Sequence, residues 1–143
     1  MGTATGQLAV IGDQLYLYDN TRVKWLSVES STITFGEDGG ADDANLEYAG
    51  DITNSGPNMV RKGTIVYVAM NSSGGENNKI ASIDITDDLG ALTSHQIQLS
   101  GGSRIYDNFN VDFEEGDRIQ LNVSDIGSDV EDMTVILWVK WRG

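Results

Sequence analysis

No cysteine occurs in the chain, which excludes a disulfide framework and thiolate metal sites. There is one histidine, His95, so a metal site built on two imidazoles cannot form. Basic residues are scarce: 9 Lys and Arg stand against 22 Asp and Glu, a formal net charge of −13. A surface of that sign repels phosphate backbones and anionic headgroups, so direct binding to nucleic acid or membrane is not expected. Long hydrophobic runs are missing too. The longest, residues 65–70 and 135–139, fall far short of the about 20 apolar residues that span a bilayer. The opening MGTATGQLAVIGD has neither a basic n-region nor a long apolar run, and Gly6 stands where a myristoylation signal places Ser or Thr. Neither a signal peptide nor a lipid anchor is expected. Finally, no window keeps an apolar stripe at i, i+3, i+4 and i+7 for three turns, so almost no helix is predicted.

What is present is a period of two. In RIYDNFNVDF, Ile105, Phe109, Val111 and Phe113 share one parity and Asn108, Asn110 and Asp112 the other, the pattern of a strand with one buried face. After the turn Glu114-Glu115-Gly116-Asp117, Ile119, Leu121 and Val123 alternate with Arg118, Gln120 and Asn122, which completes a β-hairpin. The C-terminal run places Met133, Val135, Leu137, Val139 and Trp141 on one face, with Ile136 and Trp138 making the other face half apolar. Two shorter strands carry Ile83 and Ile85, then Ile97 and Leu99, around the turn at residues 87–90. Residues 64–70 read as a strand buried on both faces.

With 143 residues and 39% hydrophobic composition, one well-buried core is available. Strands about ten residues apart, separated by Gly, Asn and Asp turns, predict an all-β fold: an antiparallel β-sandwich of jelly-roll type. Residues 6–28 form a separate pattern, QLAVIG, QLYLYD and VKWLSV around Gly12-Asp13 and Asn20-Thr21-Arg22, a small β-meander. Residues 29–58 hold Gly36, Gly39, Gly40, Gly50, Gly56 and Pro57, with five acids between residues 37 and 47, and show little periodicity. The predicted organisation is therefore a meander arm at 1–29, a connector at 30–58 and a sandwich at 59–143.

Catalytic chemistry finds little to stand on. His95 lies in a strand-like segment and reads as a partly exposed strand residue; no GxSxG elbow accompanies it, and the glycine pairs at 74–75 and 101–102 do not fit the phosphate-loop pattern. Asp42-Asp43, Asp87-Asp88, Glu114-Glu115-Asp117 and Asp125, Asp129 and Asp132 supply oxygen ligands of the kind calcium takes, but in neither EF-hand nor nonapeptide-repeat spacing. They read as solvated loop acids, and neither an enzyme nor a resident metal or cofactor is expected. Aromatics cluster at Tyr16, Tyr18 and Trp25. A meander of this size cannot bury three large rings alone, so these three are the candidate contacts to another chain or domain.

The stretch GQLAVIGDQLYLYDNTRVKWLSVES resembles a segment recurrent in tailed-phage virion proteins, where three short strands precede a globular head. From about Gly63 to Arg142, notably NFNVDFEEGDRIQLNV and the closing VILWVKWR, the chain resembles the jelly-roll heads of the tumour-necrosis-factor and complement families. That resemblance implies a homotrimer. It points to a virion structural role, a capsid decoration or cement protein on the outer capsid surface whose partner is the major capsid protein. Val66, Val68, Ile136 and Trp138 are the candidate trimer contacts, since they lie on the two strands with an apolar second face. A carbohydrate- or receptor-binding head of a phage fibre is the alternative.

Overall fold

The computed structural model describes residues 6–41, 44–50, 52, 55–75, 78–124 and 130–143. Among these there is no helix. The strands are β1 (Leu8–Ile11), β2 (Gln14–Asp19), β3 (Lys24–Ser27), β4 (Ser31–Gly36), β5 (Gly40–Ala41), β6 (Ala44–Asn45), β7 (Glu47–Tyr48), β8 (Gly63–Asn71), β9 (Gly74–Gly75), β10 (Ile80–Thr86), β11 (Leu92–Gln98), β12 (Ser103–Tyr106), β13 (Val111–Phe113), β14 (Arg118–Val123), β15 (Val130–Glu131) and β16 (Thr134–Trp141).

Two sheets enclose the core. One runs β12-β8-β16-β4-β7, with β13 also on β8; the other runs β11-β10-β14-β6. Every pairing is antiparallel, and strands adjacent in space are mostly distant in sequence. With β4 and β16, the first and last strands of the head, side by side in one sheet and β6 and β14 in the other, this is the jelly-roll type of antiparallel sandwich. The inward parity is apolar throughout: Ala81, Ile83 and Ile85 on β10 and Ile119, Leu121 and Val123 on β14 face Val68, Met70, Val135, Leu137 and Val139. Two-residue strands β5, β15 and β9 form a third small sheet.

Two segments differ from the sequence reading. Residues 30–58 are no connector: β4 lies between β16 and β7, and Phe35, Ala41 and Leu46 are in the core. Residues 56–59 are stitched to β14 by hydrogen bonds from Ile119 N–H to Pro57 O and from Met59 N–H to Asp117 O. The glycine at 56 answers to contact, since a Cβ there would fall 1.7 Å from Ile119 O. The head therefore begins at about residue 31. Residues 105–113 are not one strand either. Tyr106 pairs with Val68 and Val111 with Ile65, so four residues, 107–110, oppose two. The break shifts the parity, leaving Ile105 70% exposed while Tyr106 packs on the core. On the other side of β8 the register with β16 shifts between Trp138 and Val139, which makes Val66 a bulge residue.

Candidate functional site

The meander forms its own sheet, β1-β2-β3, and is clasped to the head. Its hairpin turn is shaped by Asp19, whose Oδ1 accepts from Thr21 N–H and Arg22 N–H, with Val23 in the left-handed region at φ 57°. A β-branched residue there carries backbone strain. The turn aims Arg22 into the gap where the ladder beside β8 is broken. Its guanidinium donates to Phe109 O at 2.7 Å, Val66 O at 2.7 Å and Asp107 O at 3.1 Å, while Nη1 pairs with Asp19 Oδ2 at 2.7 Å. These carbonyls belong to the bulge and the interrupted segment, so one side chain supplies donors that the strands do not. Its charge also lies over the Tyr67 ring, 5.5 Å from the centroid.

Beside it, Asp112 is a hub. Its Oδ1 accepts from Lys24 Nζ and Thr64 Oγ1, each at 2.6 Å, and Arg142 Nη1 lies 3.6 Å from Oδ2. Arg142 in turn donates to Gly63 O, Phe113 O and Glu114. The chain's last residues extend the meander sheet: Leu26 bridges Arg142, Trp141 N–H donates to Ser27 Oγ, and Gly143 N–H donates to Trp25 O.

The clasp sets an acid limit. Burial pushes the Asp112 carboxyl up, but bonds from Lys24 and Thr64 and the charges of Arg142 and Lys24 prevail, and its pKa falls below the ordinary 3.8. Asp19 behaves alike: burial raises it, and Arg22 more than compensates. Glu37 is shifted upward from 4.5, first by burial and then by Glu47 and Asp38. A carboxylate lowered on folding binds more protons unfolded, so its stabilisation is present above 3.8 and is lost as pH falls further; a raised one has the opposite sign. Thermal midpoints are expected to hold or rise between pH 7 and about 5 and to fall below about pH 3.8. Calorimetry across that range checks this; a steady loss starting at pH 6 would contradict it.

The aromatic candidates are placed differently from expectation. Tyr16 and Tyr18 are only 6% and 5% exposed within the chain itself. Tyr18 packs edge-on to Trp25 with ring centroids 5.4 Å apart, and Gly143 lies against Ile11, Tyr16 and Trp25. The premise that Tyr16 and Tyr18 need another chain for burial is corrected, because the clasp and the C-terminal residues extend the meander sheet, whereas Trp25 is half-buried. The exposed side chains of the meander are aliphatic instead: Leu8, Val10, Leu15, Leu17 and Val28.

Of the four candidate trimer contacts, Val66 and Val68 are 1% and 0% exposed, the first at the bulge and the second in the core. Neither side chain has surface to offer a partner, and this expectation is corrected. Ile136 and Trp138 are half-buried on the outer face of the sheet. There the register brings Ile105, Ala69, Ile136 and Thr34 into one row and Tyr67, Trp138 and Thr32 into the next. None of these seven side chains is charged.

His95 is partly buried on β11, opposite Ile83. Among the described residues no three metal-ligating side chains gather and no helix is long and apolar enough to cross a membrane. Asp132 is held by Ser73 and by Gly39 N–H, whereas Asp42, Asp43, Asp125 and Asp129 lie outside the described residues.

No protein-family model matches the chain, and no curated protein matches it. Among solved structures it is similar to the crystal structure of FLHE, with 12% identity, a TM-score of 0.33 and coverage of 81% of this chain and 100% of that one. It is also similar to chains from structures of infectious bursal disease virus. For the Gx strain the identity is 14%, the TM-score 0.41 and the coverage 96% of this chain and 36% of that one. For the Gt strain the values are 10%, 0.34, and 95% and 42%. The chain thus spans less than half the length of those two virus chains.

Proposed function

We propose that the chain is a non-enzymatic structural subunit, a homotrimer that decorates the outer capsid surface of a tailed phage and binds its major capsid protein there. The observation that carries the assembly part is the pair of uncharged rows on the outer face of the β12-β8-β16-β4 sheet, Ile105, Ala69, Ile136 and Thr34 beside Tyr67, Trp138 and Thr32. In a chain with a net charge of −13, surfaces that present carboxylates repel a second copy, and copies meet at least electrostatic cost where neither presents a charge. Ile105, Tyr67, Ile136 and Trp138 give that face apolar area to bury. The virion part rests on the resemblance of residues 6–30 to phage virion segments. A rigid trimer brings three modest footprints to the lattice at high effective concentration, which is how a small protein clamps a shell.

Light scattering is expected to give three times the monomer mass at micromolar concentration. Trp138→Glu, which places a carboxylate on the neutral face, is expected to yield monomers with an unchanged circular dichroism spectrum. A monomeric wild type would overturn the trimer. Stoichiometry on purified particles tests the rest: hundreds of copies fit decoration, and a few trimers fit a fibre head.

A further inference from the structure

The aliphatic face of the meander and its open edge have no partner in the clasp. Leu8 and Val10 are 60% and 71% exposed, and the register sets them beside Leu17 and Leu15. Val28 N–H donates to Leu15 O, which extends the patch onto the third strand. β1 pairs only with β2 among the described residues. Tyr18 N–H donates to Gln7 O, so by the alternation of an antiparallel ladder Ala9 and Ile11 bond inward, while Leu8 and Val10 turn their N–H and C=O groups to the open side. Beside the β1–β2 turn, at the start of β2 and the end of β3, lies a depression of about 370 Å³ lined by Leu15 and Val28 together with Asp13 and Glu29; Asp13, two residues past β1, stands at the end of the free edge, while Glu29 lies across β2 from it. Neither acid has an ion-pair partner among the described residues. An aliphatic row, a free ladder edge and the carboxylate of Asp13 at its end thus occur together.

We propose that the free edge of β1 receives an extended segment of another protein, paired antiparallel, with alternating aliphatic side chains and a lysine or arginine near its N-terminal end. Main-chain bonds to Leu8 and Val10 supply the affinity of strand addition, and the alternate side chains cover the aliphatic row. Antiparallel pairing puts the N-terminal end of the added strand beside Asp13, where a cation meets the unneutralised carboxylate. Charge selects against a second copy: a chain of net charge −13 is a poor match for that carboxylate. The inference deepens the assembly reading by naming the chemistry of the partner, and its test does not depend on particles or on trimers.

The probe is the peptide acetyl-Lys-Val-Thr-Val-Thr-Val-amide, added to the full chain. Hydrogen exchange at the amides of Leu8 and Val10 is expected to slow on its addition, while exchange on β10 and β14 stays the same. Glu in place of the peptide's Lys is expected to weaken binding about threefold, the size of an exposed ion pair. The variant Asp13→Asn should lose that preference and still bind. Proline in place of the second Val, whose N–H faces β1, should abolish binding. Unchanged exchange at millimolar peptide overturns the proposal, as does equal binding of the proline peptide. Protection of Leu8 and Val10 that grows with protein concentration in the absence of peptide also overturns it, because the edge then belongs to a second copy. Scattering on the same samples reports the neutral face separately, so failure of either reading is recognised by itself.

Discussion

A chain beginning at residue 58 is expected to remain unfolded, whereas one beginning at residue 30 is expected to fold with a lowered thermal midpoint. The shorter chain loses β4, which pairs with β16 over six residues, from Ser31 with Val139 to Gly36 with Thr134. It also loses Ile33, Phe35, Ala41 and Leu46, all in the core. Burying a Leu, Ile or Phe side chain stabilises by about 1.5–3 kcal/mol. Removing three of that size with the ladder that holds them costs on the order of 6 kcal/mol or more, against a typical total of about 5–15 kcal/mol. The point substitution Phe35→Ala isolates part of that loss. Truncating a fully buried Phe costs about 3–5 kcal/mol, a fall of roughly 6–20 °C for a domain of this size. Circular dichroism melts and amide spectra of the three proteins decide the matter. A cooperative transition in the chain from residue 58 would show that β4 is an accessory strand.

The strands legible in the sequence are those with one wet and one dry face. β14 and β10 alternate cleanly because each has polar residues on its outer parity, and β16 is readable with a half-apolar second face for the same reason. β4 was hidden. STITFG carries its signal in only two apolar residues, Ile33 and Phe35, and is followed by glycines that suggest a linker although at least Gly56 marks a close backbone approach. The split of residues 105–113 was equally invisible, because Ile105 keeps the parity of Val111 while the inserted residues move it to the other side of the sheet. Tyr16 and Tyr18 are buried, but the covering surface is intramolecular, and nothing in a local pattern reports that residues 141–143 return to the meander. The functional candidates missed by sequence were Arg22 and Asp112. Arg22 stands beside a turn, where a cation is ordinarily solvated; only the broken ladder beside β8, 44 to 87 residues away, gives it carbonyls to hold. The one available hint was an arginine in a chain with so few cations.

Arg22→Leu is expected to release the meander from the head and to lower the stability of the whole chain by about 3 kcal/mol, the scale on which buried charge-assisted contacts are broken. The side chain is only 8% exposed and serves Val66 O, Asp107 O and Phe109 O at once. A leucine fills part of the volume and offers no donor, so carbonyls in the gap beside β8 are left to compete for water that the gap admits poorly. Asp19 stays behind with 22% of its side chain exposed and is resolvated, which limits its share of the loss. The strain at Val23 then has no compensation, since the conformation that places Val23 at φ 57° is the one that delivers Arg22. Arg22→Lys keeps the charge but replaces a planar fork by a point donor, which cannot reach three carbonyls together. It should recover less than half of the loss. The readout that separates release from general destabilisation is local: Trp25 emission should shift to the red and amide exchange across residues 8–28 should rise well before β10 and β14 open. If all three regions open together in Arg22→Leu, the meander is an integral part of one cooperative unit and the clasp adds stability without making a separable module. If neither melting nor Trp25 emission changes, the carbonyls are satisfied by water and Arg22 is not what holds the meander in place.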